Sequence, residues 1–202
     1  MRWTIPAALA ATLSAGVALA QPLSPTPRDV EGPYYPDILP ADSDNDLTVI
    51  RGKQSAARGR RIRLEGRVVD RAARPLSGVR IELWQTDAGG RYIHSGDPLR
   101  AERDPAFQGF GAALTDEQGR YAFRTVVPAG YASRPPHFHL RLLRGERALL
   151  VTQLYLPRRS GERGIGPGRL SLREAAQTVR LEPAAADALV GHFDFVLDRS
   201  AE

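Results

Sequence analysis

From residue 61 onward, apolar and polar side chains alternate with a period of two in a series of short runs. The runs are 62–69 (IRLEGRVV), 79–84 (VRIELW), 121–126 (YAFRTV), 137–142 (HFHLRL), 149–155 (LLVTQLY) and 193–197 (FDFVL). That period places successive side chains on opposite faces of a strand, so each run predicts a β-strand. Turn-forming clusters at 88–90 (AGG), 116–119 (DEQG) and 128–130 (PAG) separate them, as chain reversals require. Helical windows are few, one near 174–177 and one around 184–189. The prediction is a mostly-β chain, built as an antiparallel sandwich or barrel.

Upstream the pattern changes. Residues 21–60 carry Pro22, Pro25, Pro27, Pro33, Pro36 and Pro40 among many charged side chains, which predicts an extended arm wrapped over the rest. Residues 1–20 differ again: Arg2, then an Ala- and Leu-rich stretch, then Ala18-Leu19-Ala20. Charge, apolar run and A-x-A site are the parts of an export signal, with cleavage expected after Ala20. An uncleaved anchor is the alternative, but Pro6 and small polar residues interrupt the roughly 20 apolar residues that a span needs. The expected layout is a signal at 1–20, an arm at 21–60 and one β-domain at 61–202. The mature protein is expected outside the cytoplasm, periplasmic or secreted, with no membrane span.

Composition narrows the chemistry. There are no cysteines, so no disulfide forms and any metal must rest on nitrogen and oxygen. The net charge of +5 is mostly arginine spread along the chain. The densest cluster, 58–63, runs straight into a predicted strand without an aromatic platform, which reads as a solvated edge and not a nucleic-acid surface. The acidic 42–46 segment resembles the start of a calcium loop but lacks the glycine and distal glutamate that such a loop uses. Asp97, Glu102 and Asp104 read as surface loop.

Two of the four histidines, His137 and His139, lie one residue apart in GYASRPPHFHL, residues 130–140. In a strand both rings share one face, where they can pair on a metal; a bare pair of this kind is more often a surface feature. Tyr131 precedes them on a loop, Arg134 stands before the Pro135-Pro136 that stiffens the strand's start, and Tyr92 follows a Gly-Gly turn. Tyr92 alone reads as a packing residue. Taken together, two imidazoles and two phenolates suit a hard cation such as ferric iron, whereas zinc sites draw on Cys, His and carboxylate.

Five ordered segments carry a family resemblance. GYASRPPHFHL, LWQTDAGGRY (83–92), LTDEQGRYAFRT (114–125), EGPYYP (31–36) and TQLYL (152–156) resemble the intradiol ring-cleavage dioxygenases of the protocatechuate 3,4-dioxygenase kind, across about residues 28–157. The resemblance implies a β-sandwich core with extended arms. It implies Fe(III) bound by Tyr92, Tyr131, His137 and His139, with Tyr131 as the ligand that yields to substrate. It implies that Arg134 stabilises negative charge on the substrate, that Gln153 lies close to that arginine and the ring, and that the 31–36 arm approaches the site, where Gly32, Pro33 and Tyr34 are candidate pocket residues; for Tyr34 and Tyr35 ordinary packing is an equal alternative to lining the cavity. The implied reaction takes a catechol and O2 to a cis,cis-muconate-type diacid. Four features depart from the family: only Ala132 and Ser133 separate Tyr131 from Arg134, Pro136 stands where alanine is usual, the long N-terminal helical segment of the catechol 1,2-dioxygenase kind is not seen, and the export signal is unusual beside the intracellular catabolic members.

Two rival readings come from other classes. One is a secreted β-sandwich binding module without catalysis, since fold does not fix function. The other is a zinc hydrolase, for which His94 and His192 bring no supporting motif. A homo-oligomer is compatible with the sequence, and the arm has either its own or a neighbour's site to cover.

Overall fold

A computed structural model describes residues 21–157 and 175–198. The expected signal at 1–20 and the first residue of the 174–177 helical window lie outside them. Nine strands form in order: β1 Arg61–Asp70, β2 Arg80–Trp84, β3 Phe110–Leu114, β4 Arg120–Val126, β5 His137–Arg144, β6 Arg147–Tyr155, β7 Arg180–Pro183, β8 Leu189–His192 and β9 Phe195–Leu197. Six coincide with the alternating runs. The others, β3 (FGAAL), β7 (RLEP) and β8 (LVGH), are four or five residues long and carry glycine, proline or little alternation, so their pairing comes from neighbouring strands. The 184–189 window folds as a 3₁₀ turn, Ala185–Asp187, that leads directly into β8.

Two sheets face one another, in the sandwich form. One runs β4-β1-β8-β7 with β9 also against β1; the other runs β3-β2-β5-β6. The second sheet is antiparallel throughout, but β1 pairs in parallel with both β8 and β9. Ten residues long, β1 takes β8 along 62–65 and β9 along 68–70. Gly66 marks the gap between them, where a Cβ would sit 1.8 Å from the Phe193 carbonyl oxygen. No larger side chain fits without moving that backbone.

Between the sheets lies a dry core that includes Leu64, Val68, Ile81, Leu83, Phe123, Phe138, Leu140, Leu142 and Leu154. Residues 21–60 contain no strand, only isolated bridges such as Asp46 to Arg124. They run as an arm held by backbone hydrogen bonds: Thr26 N–H donates to Val196 O (2.9 Å), Asp29 N–H to Val151 O (2.9 Å) and Leu47 N–H to Arg124 O (2.8 Å). Leu47 plugs into the core with no exposed surface. Among the described residues no helix is long and apolar enough to cross a membrane.

In β5 the period of two puts Phe138, Leu140 and Leu142 into this core, each fully buried, and turns His137, His139 and Arg141 to the opposite face. Replacing Phe138 by alanine is expected to destabilise the protein by about 3–5 kcal/mol, read as a lowered urea midpoint at unchanged m-value.

Candidate active site

The site is built on the outer face of the β3-β2-β5-β6 sheet, away from the core. Strand register sets its neighbours: His139 lies between Trp84 of β2 and Gln153 of β6, His137 opposite Tyr155, and Arg141 opposite Glu82. Both histidines are 2% exposed, because the arm covers this face. Their Nε2 atoms lie 3.0 Å apart, and the Tyr92 hydroxyl is 3.0 Å from His139 Nε2.

His137 has a defined tautomer. Its Nδ1 lies 2.6 Å from the Pro135 carbonyl, which can only accept, so Nδ1 carries the proton and Nε2 keeps its lone pair. Burial lowers the pKa of His137 to about 4, with the nearby Arg134 adding to the shift. Burial, then His137 and Arg134, lowers that of His139 to about 2. Both rings are therefore neutral at physiological pH. No hydrogen bond of good geometry reaches His139 Nδ1, though the Glu31 backbone faces it closely enough to favour the charged ring slightly.

Tyr92 reaches the pair from the turn after β2. Asp87 folds that turn: its Oδ1 accepts from the Gly89 (2.8 Å) and Arg91 (3.0 Å) N–H groups, and its N–H donates to Arg91 O (2.9 Å). The Tyr92 N–H then donates to Asp97 (2.6 Å), so this acid, read from sequence as surface loop, anchors the turn. Burial, with Tyr131 beside it, pushes the Tyr92 phenol far above its ordinary pKa. Only a cation would draw that proton off. Tyr131 completes the group, its ring 5.2 Å from Tyr92 and 5.8 Å from His137. The short Ala132-Ser133 spacer closes a tight turn in which Arg134 N–H donates to Tyr131 O (2.8 Å) and Ala132 takes φ 47°. Two residues suffice only because Ala132 accepts this left-handed conformation.

Arg134 donates to Gln153 Oε1, and Gln153 Nε2 donates to Val30 O of the arm (2.8 Å). Among the described residues, the buried Arg134 Nε has no hydrogen-bond partner. Gly32, at φ +78°, lies so close to His139 that a Cβ would sit 3.0 Å from Cε1. Tyr34 stacks on Tyr92 at 4.8 Å and meets Tyr131 edge-on at 5.7 Å. Pro33 is exposed between them and makes no contact of this kind. The chain's own arm thus covers its own site.

Sequence reading missed Trp84, Glu82 and Arg141 in the layer behind these residues. Trp84 stacks flat on His139, at 5.1 Å and 12°. Tyr35 packs edge-on against Trp84 at 5.1 Å, and its hydroxyl donates to Glu82 (3.1 Å). Arg141 pairs with Glu82 (2.8 Å), donates to the Tyr35 hydroxyl, lies 4.1 Å over that ring and reaches Glu31 at 3.6 Å. This knot binds the arm to β2 and β5. A signal existed for part of it, since Arg141 continues the H-x-H spacing.

As chemistry, the cluster is two neutral imidazoles and two phenols converging in a buried space, an N₂O₂ set with an unpartnered guanidinium nitrogen nearby. Among the described residues, no group of three or more His, Cys, Asp or Glu stands where it could hold a metal, so the zinc-hydrolase donor set is not assembled there.

Residues 30–163 match the Dioxygenase family. The protocatechuate 3,4-dioxygenase beta chain of Burkholderia cepacia is 40% identical over 148 residues, covering 67% of this chain and 61% of that one. Catechol 1,2-dioxygenase of Acinetobacter baylyi is 34% identical over 110 residues, 54% of this chain and 33% of that one. The chain therefore spans about three-fifths of the first relative and a third of the second. The dioxygenase domain of a dioxygenase–carbohydrate-binding protein fusion from Streptomyces sp. SirexAA-E superposes with a TM-score of 0.62 at 31% identity, covering 87% of this chain and 99% of that one. The chain belongs to the intradiol ring-cleavage dioxygenase family.

Gly32→Ala puts a side chain against His139 in a left-handed conformation that costs about 1–2 kcal/mol. Faster cleavage within the arm under limited proteolysis, with the core strands still protected, is the expected outcome.

Proposed function

We propose that this protein holds ferric iron on Tyr92, Tyr131, His137 and His139, and cleaves catechols between the two hydroxyl-bearing carbons with O2. The observation that carries this reading is the convergence of those four donors on one covered face. Phenolate is a hard anionic donor matched to a ferric ion, and neutral imidazoles need lose no proton to bind it. Relatives named for protocatechuate and catechol support a catechol-type substrate.

Iron bound there would supply Lewis acidity, drawing electron density from the substrate ring and opening it to O2. The remaining work falls to the chain. Tyr131 is half-buried where Tyr92 is 1% exposed, so Tyr131 is the phenolate that would yield to an incoming catechol, its oxygen taking up one catechol proton. Arg134 directs its positive charge at the substrate oxygens, an interaction worth most where water is excluded. Gln153 holds that guanidinium in place, tied in turn to the arm. Gly32 and Tyr34 close the pocket over the ring and keep water out. Both atoms of O2 enter the product, a cis,cis-muconate-type diacid.

Oxygen uptake with a panel of catechols, after loading with ferric iron, tests the reading. One O2 is expected per catechol consumed, with a diacid as product. Tyr131→Phe and His137→Ala should abolish turnover while leaving the urea midpoint close to wild type. Arg134→Leu should lower kcat by roughly 10²–10³, the usual loss for a group that stabilises developing charge. No uptake by iron-loaded wild type with any catechol would favour the non-catalytic binding module, and full activity in Tyr131→Phe or His137→Ala would show that the ligands are misassigned.

A further inference from the structure

We infer that the groove between the arm and the loop after Tyr92 binds a small apolar organic anion, such as an aromatic carboxylate, at a site separate from the β5 face. The groove holds about 760 Å³, inside the roughly 300–1,000 Å³ span of small-molecule sites. Ile38, Leu39, Pro40, Ile50, Ile93 and Phe107 supply its apolar wall. Neither the four donors nor Arg134 line it.

Two independent features point to the occupant. The first is exposed apolar surface. Ile38 is 79% and Leu39 49% exposed, and the exposed Val49 and Leu99 adjoin the lining residues Ile50 and Arg100. Of the seven large apolar side chains exposed among the described residues, Ile38 and Leu39 line the groove, and Val49 and Leu99 are chain neighbours of residues that line it. An exposed apolar patch marks a binding surface, and the buried Phe107 gives this one a concave floor suited to a small guest.

The second feature is unspent positive charge. Arg100 and Arg103 bracket the 3₁₀ turn Arg100–Glu102, closed by the Arg103 N–H donating to Arg100 O (3.2 Å). Both arginines line the groove, and neither has an ion pair among the described residues.

The acids around them have other hydrogen-bond or ion-pair partners, and the two that line the groove, Asp37 and Asp42, are outnumbered there by Arg51, Arg100 and Arg103. Glu102 pairs with Arg91 (2.9 Å) and Asp104 accepts from Arg58 N–H (2.6 Å). Asp42 accepts from Arg51 N–H (2.6 Å) and Asp37 from Ser95 N–H (3.2 Å). An apolar wall beside two guanidinium groups that have no ion pair among the described residues is complementary to an anion with an apolar body.

The probe is 8-anilinonaphthalene-1-sulfonate, an apolar aromatic anion, titrated into the full chain with fluorescence as readout. Saturable binding at one site is expected. Arg100→Gln/Arg103→Gln and, separately, Ile38→Asp should each weaken it by at least about tenfold, comparable to losing one charge-assisted hydrogen bond. Urea midpoints and oxygen uptake should stay at wild-type values. No saturable binding to wild type, equal binding to all three proteins, or displacement of the probe by a catechol would overturn the inference. A concentration-dependent dimer that Ile38→Asp dissociates, with probe binding unchanged, would overturn it too and make the groove an interface between copies.

Discussion

Everything in this structure that bears on chemistry depends on one strand having two buried faces. On β5, Phe138, Leu140 and Leu142 close the core, while His137, His139 and Arg141 occupy the other side. The strand's pleat couples them: a slip of one residue would put imidazoles in the core and phenylalanine at the site. The core fixes the register firmly, since each of its fully buried side chains is worth roughly 1.5–3 kcal/mol. Packing on one face thereby positions the donors on the other.

A sheet face covered only by solvent would leave those imidazoles free to protonate. Here the arm shuts the face off. It touches His139 at Gly32, Tyr92 at Tyr34 and Trp84 at Tyr35, and takes a hydrogen bond from Gln153 at Val30. Burial then lowers both histidine pKa values and raises that of Tyr92. These shifts share one cause, a site dry enough to resist charge until a cation supplies it. The Glu82–Arg141–Tyr35 knot holds the arm by ionic and aromatic contacts together, where 21–60 has no strand of its own.

How much of this was legible in the sequence follows from how local each feature is. The shared face of His137 and His139 was readable because it depends only on a period of two within one strand. Tyr92 and Tyr131 stand on loops, and their convergence with the histidines rested on resemblance, since no local pattern says where a loop ends in space. Trp84 and Glu82 were hidden for a related reason. They alternate along β2 with Ile81 and Leu83, so a one-sided surface was visible, but their meeting with His139 and Arg141 is set by the β2–β5 register. The parallel pairing of β8 and β9 with β1 was likewise invisible, because it joins segments more than a hundred residues apart. Ala132 in a left-handed turn was the detail behind the unusually short spacer.

We propose that the four donors of the outer β5 face form a ferric site. It is tested most directly by metal analysis joined to a visible absorption spectrum of the protein loaded with ferric iron in air. One iron per chain and a visible phenolate-to-iron charge-transfer band are expected, with both iron and colour lost in His139→Ala. A colourless protein that retains zinc, or binds no metal at all, would contradict it.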